Sequence, residues 1–160
     1  MTESISNSVP KAATVEVRLP SRMGFEKVAM SSAAAVAKLM GFREDRVEDL
    51  KTAVAEACIN AIEHGNRLNE KLSVGVVMSA GADSLEVKVI DDGLGMNKQP
   101  GRLNKLDKPD IDRKMHGEEE ARGMGMFLIQ ALVDEAEWVA GADGGRSYVR
   151  LVIRLNKDAE

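Results

Sequence analysis

The order of strand-like and helix-like segments restricts the fold of this chain more than any other feature of its sequence. Apolar periodicity predicts one strand, two helices, two strands, a long polar segment, a third helix and two final strands. Strands joined in pairs by short turns favour an antiparallel sheet, whereas a doubly wound parallel sheet requires alternation with helices. We therefore expect an α+β fold, a two-layer α/β sandwich with a mostly antiparallel sheet and helices on one face.

The bounds of these segments follow from apolar spacing and from turn residues. The predicted strands are 14–19, 71–79, 84–90, 136–140 and 147–155, and the predicted helices are 25–40, 44–64 and 123–135. Gly41 follows the first helix, where a glycine C-cap belongs. Residues 1–13 are rich in Ser, Asn and Thr and predict a flexible leader before a single domain at 14–156.

Composition excludes several classes of protein. The net charge of −4 argues against direct nucleic-acid binding, which usually comes with a basic excess. The lone Cys58 excludes an intrachain disulfide, and no apolar stretch approaches the ~20 residues that a membrane span needs. Residues 1–13 lack the apolar run of a signal peptide. We expect a cytoplasmic protein without a membrane segment.

The first chemically suggestive cluster lies on the second predicted helix. Its apolar stripe runs along one side and comprises Val47, Leu50, Val54, Ala57, Cys58 and Ala61. Glu56 and Asn60 lie one turn apart and project from nearly the opposite side. Such a pair is compatible with a solvated polar face, or with a general base beside an amide oxygen that holds magnesium.

The second cluster follows the strand that ends near residue 90. Asp91, Gly93, Gly95 and Met96 are compatible with a simple turn, because Asp and Gly are favoured there. As a site, the Asp91 carboxylate would accept a hydrogen bond from the amino group of adenine, and guanine would leave it unpaired. The glycines would let the backbone pass close to a flat base.

The third cluster opens the third predicted helix and comprises Arg122, Gly123, Met124 and Gly125. Free N–H groups and the helix dipole at such a start favour an anion, although a capping turn explains the same pattern. The polar segment between the second and third clusters is compatible with a floppy insertion, or with a lid at about 94–121 that orders over a ligand. The P-loop and dinucleotide fingerprints are absent.

Together the three clusters resemble the GHKL ATPase superfamily, in which a Bergerat fold binds ATP without a P-loop. The motifs that carry the resemblance are Glu56-Ala-Cys-Ile-Asn60, Asp91-x-Gly93-x-Gly95 and Arg122-Gly123-x-Gly125. Within that superfamily the chain is most similar to the bacterial anti-sigma factor serine/threonine kinases. The likeness covers about residues 15–155.

The resemblance implies ATP and Mg²⁺ as cofactors and gives each motif residue a role. Glu56 becomes the base that accepts the proton of a substrate serine, and Asn60 becomes the magnesium ligand. Asp91 becomes the reader of adenine, chosen over its neighbour Asp92 by motif register. The remaining nucleotide contacts implied are Gly93, Gly95, Met96, Arg122, Gly123, Met124 and Gly125.

The resemblance also implies partners. Family members bind a sigma factor, phosphorylate a small anti-anti-sigma antagonist of the STAS type, and commonly form homodimers. An alternative is an ATP-gated binding module without physiological phosphoryl transfer. A histidine-kinase catalytic domain is less compatible with the sequence, because no helix with a phosphoacceptor histidine precedes the domain.

Overall fold

The described part of the chain folds into one antiparallel sheet covered on one face by three helices. The structure is a computed structural model that describes residues 13–92, 117–141 and 146–155, and within 117–124 it describes the helical backbone alone. Its elements are β1 (Ala13–Pro20), α1 (Glu26–Met40), α2 (Glu44–Asn60), a π-helical turn (Ala61–Gly65), β2 (Ser73–Ala80), β3 (Ser84–Asp91), α3 (Gly117–Leu132), β4 (Glu135–Val139) and β5 (Ser147–Arg154). Of the leader predicted at 1–13, only Ala13 lies within the described residues, and it begins β1.

The sheet has five strands in the order β1-β2-β3-β5-β4, and every neighbouring pair is antiparallel. Buried and half-buried side chains alternate along β2 and β3, so one face of the sheet is covered and the other is open. The open face carries ion pairs such as Arg150 with Glu86, whose Nε and Oε2 lie 2.6 Å apart. The predicted α+β sandwich with helices on one face is confirmed.

Small side chains bring the helices close to one another. Ala29, Ala33 and Ala37 are fully buried along one side of α1, which packs against α2. Gly41 ends α1 with φ +92°, a left-handed conformation that glycine adopts at low cost, and this confirms the predicted C-cap. No helix in the described part of the chain is long and apolar enough to cross a membrane.

The second helix is regular only as far as Asn60. The sequence predicted a single helix over 44–64, but the last residues form the π-helical turn Ala61–Gly65. π-Helical segments are rare and occur frequently at functional sites. This turn carries the backbone of Gly65 and Asn66 toward the end of β3.

The third helix corrects one predicted boundary. It begins at Gly117 and not at Gly123, so Arg122, Gly123 and Gly125 lie inside it. The free N–H groups of its first turn therefore begin at Gly117, and phosphate binding by Arg122 and the backbone of Gly123 and Gly125 stays a prediction. The lid predicted at about 94–121 lies outside the described residues, except for the helical backbone of 117–121.

An ion pair between Arg46 and the buried Asp134, which we call the latch, holds the C-terminal end of α3 against α2. Asp134 is buried between α3 and β4, where its Oδ2 accepts hydrogen bonds from Arg46 Nη2 at 3.0 Å and from the Arg154 backbone N–H at 2.6 Å. Arg46, on the first turn of α2, also donates to the carbonyl of Leu132 at 3.2 Å. The latch holds the helix that carries Gly125 in register with the helix that carries Glu56.

Candidate functional site

A small cleft lies where α2, its π-helical turn and α3 meet the ends of the central strands. Its lining residues are Ala57, Asn60, Ala61, Gly65, Val89, Asp91, Met126, Trp138 and Val149. The cleft thus unites members of two of the predicted clusters with α3. Its volume is about 10 Å³, room for roughly one water molecule.

Asp91 supplies the buried charge of this cleft. It is the last residue of β3, is 6% exposed, and pairs with Ser147 of β5. Gly65 presses against its side chain so closely that a Cβ built on Gly65 would lie 2.4 Å from the Asp91 carboxyl carbon. Only a glycine at position 65 leaves this carboxylate its present place.

The Asp92 side chain points to the open face of the sheet. It lines a groove of about 480 Å³ on the open face of the sheet, where its Oδ1 lies 3.6 Å from Arg146 Nε. The two neighbouring carboxylates therefore lie on opposite faces, as the period of a strand requires. The structure places Asp91, and not Asp92, beside the helical residues of the cleft.

Glu56 and Asn60 face α3. A Cβ built on Gly125 would lie 2.9 Å from Glu56 Oε2 and 3.5 Å from Asn60 Nδ2, so the α3 backbone passes directly over this pair. The predicted orientation, nearly opposite to the apolar stripe, is wrong for Asn60, because Asn60 lines the same cleft as the stripe residues Ala57 and Ala61. Packing by α3 makes this polar side of α2 an interior surface.

The amide of Asn60 has one oxygen available to a ligand. Its Nδ2 donates to Met126 Sδ at 3.3 Å, which directs the NH₂ group toward α3. The Oδ1 atom has no hydrogen-bond partner among the described residues. Amide and carboxylate oxygens suit a hard cation such as magnesium, which takes few protein ligands and completes its shell with water and phosphate oxygens.

The described residues contain no group of three or more His, Cys, Asp or Glu side chains arranged to hold a metal ion by themselves. Asn60 therefore fits a magnesium ion that arrives with its own phosphate ligands better than a resident structural metal. The large groove on the open face offers more space, but none of the predicted site residues whose side chains are described lines it. Asn60 and Asp91 line the smaller cleft.

The remaining predicted residues lie where the structure describes no side chain. Arg122, Gly123 and Met124 lie in the part of α3 for which only the backbone is described. Gly93, Gly95 and Met96 lie outside the described residues. Conversely, the sequence did not identify Gly65, Met126 or Trp138 as cleft residues. Gly65 directly follows the predicted helix 44–64, and no periodic signal distinguishes Met126 or Trp138 from ordinary core residues.

The fold and the cleft define a histidine kinase-like ATPase domain. The family model described by that name matches residues 20–153, and the chain therefore belongs to this family. It is 30% identical over 124 residues to the serine-protein kinase RsbW of Bacillus subtilis strain 168, which covers 76% of this chain and 74% of that protein.

Other comparisons agree. The serine-protein kinase RsbW of Bacillus velezensis is 31% identical over 126 residues, which cover 77% of this chain and 76% of that protein. A crystal structure of the RsbU and RsbW domains of Rv1364c from Mycobacterium tuberculosis superposes with a TM-score of 0.62 at 20% identity. It covers 89% of this chain and 32% of that longer one, and it supports the fold alone. The family predicted from the sequence is confirmed.

Proposed function

We propose that the chain is an ATP-dependent protein serine/threonine kinase that phosphorylates a STAS-type anti-anti-sigma antagonist and also binds a sigma factor. The observation that carries this proposal is that Glu56 and Asn60 lie together against Gly125, while Asn60 also lines the cleft of the buried Asp91. The matched relatives are named as serine-protein kinases, which supports the same reaction class.

Each residue has a distinct task in this proposal. The Asp91 carboxylate accepts a hydrogen bond from the adenine amino group, and a guanine carbonyl at the same place is rejected. Asn60 would offer its Oδ1 to a magnesium ion, which would neutralise charge that develops on the phosphates during transfer. Gly125 lets the α3 backbone lie against the phosphate end of the site.

Glu56 carries the proton chemistry. Its carboxylate accepts the proton of the substrate serine hydroxyl as that oxygen bonds to the terminal phosphorus of ATP and ADP departs. Because Glu56 is half-buried next to Asn60, it lies where the metal-bound phosphate end would be. A module that only bound ATP would not require a carboxylate at this position.

Nucleotide entry requires α3 to move away from α2. The present cleft of about 10 Å³ cannot hold a base, since ligand pockets usually measure several hundred Å³. The contact between these helices near Asn60 includes the buried Met126, so separating them there exposes apolar surface as well as the polar Asn60. The same movement provides a way for ATP to change a surface that a protein partner reads.

The partners follow from the proposed class. We expect a homodimer that acts in the cytoplasm on two proteins, a sigma factor and its antagonist, without direct contact with nucleic acid or membrane. Sedimentation of the purified chain with and without ATP would establish its oligomeric state.

The decisive assay offers γ-labelled ATP and purified STAS-domain proteins of the host to the wild type and to two variants. Glu56→Gln should lower phosphoryl transfer by about 10²–10⁴-fold while nucleotide affinity stays the same. Glu48→Gln is the matched control, because Glu48 is an exposed carboxylate on the same helix. Equal transfer by all three proteins would refute the role of Glu56, and nucleotide binding without any labelled protein would support an ATP-gated module instead.

A further inference from the structure

Asn66 directly follows the π-helical turn, and its polar side chain is fully buried. Ending a helix does not require its side chain to be buried, so we ask what the buried amide contacts. Its Nδ2 donates to Ser21 Oγ at 2.8 Å and to the carbonyl of Ser73 at 3.1 Å. Its Oδ1 accepts the backbone N–H of Asp92 at 2.8 Å. The amide thus uses both of its donors and an acceptor to join the segment after β1, the first residue of β2 and the segment after β3.

The bond to Asp92 lies where the sheet stops holding β3 on one side. The β2–β3 ladder ends at the pair Gly75 and Ile90, whereas on the other side Asp91 still pairs with Ser147. The side-chain oxygen of Asn66 therefore accepts a backbone N–H just after Asp91, on the side where β2 no longer pairs with β3. Asn66 thus holds this end of β3 on the side away from β5.

Gly65 acts on the same residue from a second direction. Its backbone lies against the Asp91 side chain, with a built Cβ 2.4 Å from Oδ2 and 2.7 Å from Cβ of Asp91. The consecutive residues Gly65 and Asn66 therefore limit both the side chain and the main chain of Asp91. Their order along the chain, the Gly65 backbone contact first and the Asn66 amide second, matches the order of Asp91 and Asp92.

We infer that Asn66 is a positioning residue for base recognition, which fixes Asp91 so that the site distinguishes the amino group of adenine from the carbonyl of guanine. This inference rests on the proposed function of the cleft. Discrimination by a hydrogen bond depends on a fixed geometry, because a carboxylate that can shift accepts water or avoids the wrong base at little cost. Asn66 itself does not touch the nucleotide in this account.

The experiment measures the dissociation constants of Mg-ATP and Mg-GTP, and the KM and kcat for ATP, in three proteins. Asn66→Ala removes the bond to Asp92 and should reduce the preference for ATP over GTP by at least about tenfold. Its KM for ATP should rise while kcat changes little, because Glu56 and Asn60 lie on α2. Ser21→Ala is the control, since it removes one bond of Asn66 but leaves the bond to Asp92.

Ser21→Ala should lower the melting temperature yet retain the ATP preference of the wild type. If Asn66→Ala does not fold, Asn66→Ser is measured in its place, because its short hydroxyl cannot reach the Asp92 N–H. Loss of stability with an unchanged ATP-to-GTP ratio would overturn the inference and leave the proposed function intact. A wild type that binds neither nucleotide would overturn both.

Discussion

Gly125→Ala separates the chemistry of the site from the stability of the fold. The added Cβ would lie 2.9 Å from Glu56 Oε2 and 3.5 Å from Asn60 Nδ2. An ordinary contact needs about 3.4 Å or more, so the Glu56 carboxylate must move by roughly 0.5 Å. The carboxylate is the free end of a flexible side chain and can move without disturbing the backbone.

Gly125→Ala changes the free energy of unfolding through two effects of opposite sign. Alanine stabilises a helix interior relative to glycine by about 1 kcal/mol, which offsets the cost of moving Glu56. We therefore expect a melting temperature within a few degrees of the wild type. Misplacement of a catalytic group by up to ~1 Å costs about 10²-fold in rate, so kcat for transfer should fall by about 10–100-fold.

The assay compares phosphoryl transfer and thermal unfolding of Gly125→Ala with those of Gly75→Ala. A Cβ at Gly75 meets its nearest neighbour, Ile90 Cβ, at 3.9 Å, which is an ordinary contact far from Glu56. Gly75→Ala should keep the wild-type rate. Full activity of Gly125→Ala would refute the close approach of α3 to Glu56, and parallel losses of stability and activity would show that the effect is only structural.

Three further predictions concern the scaffold. Asp134→Asn should lower the free energy of unfolding in urea by about 2–4 kcal/mol, because Arg46 is left without its buried partner; an unchanged midpoint would contradict the latch. Gly41→Ala should cost about 1 kcal/mol in the same assay, since φ is +92° there, and no loss would contradict the left-handed cap. Burial raises the pKa of Cys58 to about 12, so iodoacetamide at pH 8 should label it only as the protein unfolds. Rapid labelling of the native protein would contradict the burial of Cys58. Because the pKa is raised in the folded state, the Cys58 thiol adds to the free energy of unfolding below pH ~8.5, and this stabilisation is lost as the pH rises toward 12.

The sheet and the helices of the fold were predictable because they depend on the periodicity of apolar residues and on turn residues. Alternation along β2 and β3 and the left-handed Gly41 are local properties, and the structure has the strands within a few residues of their predicted bounds. The order β1-β2-β3-β5-β4 was not predicted, since pairing between β3 and β5 depends on which edges remain free after the hairpins form.

The candidate residues of the site come from sequence motifs, but their arrangement does not follow from the sequence. Glu56, Asn60 and Asp91 were proposed from those motifs, yet how they face one another depends on where α3 packs, which no local pattern fixes. The start of α3 was missed because residues 117–122 carry no apolar stripe that would extend the helix. The roles of Gly65 and Asn66 were not predicted, because their contacts with Asp91 and Asp92 join positions distant in sequence.

The most direct test of this account is a crystal structure of the chain with magnesium and a non-hydrolysable ATP analogue. We expect α3 displaced from α2, the adenine amino group within hydrogen-bond distance of the Asp91 carboxylate, and magnesium on Asn60 Oδ1. An analogue bound in the groove on the open face of the sheet, beside Asp92 and Arg146, would contradict the assignment of the cleft.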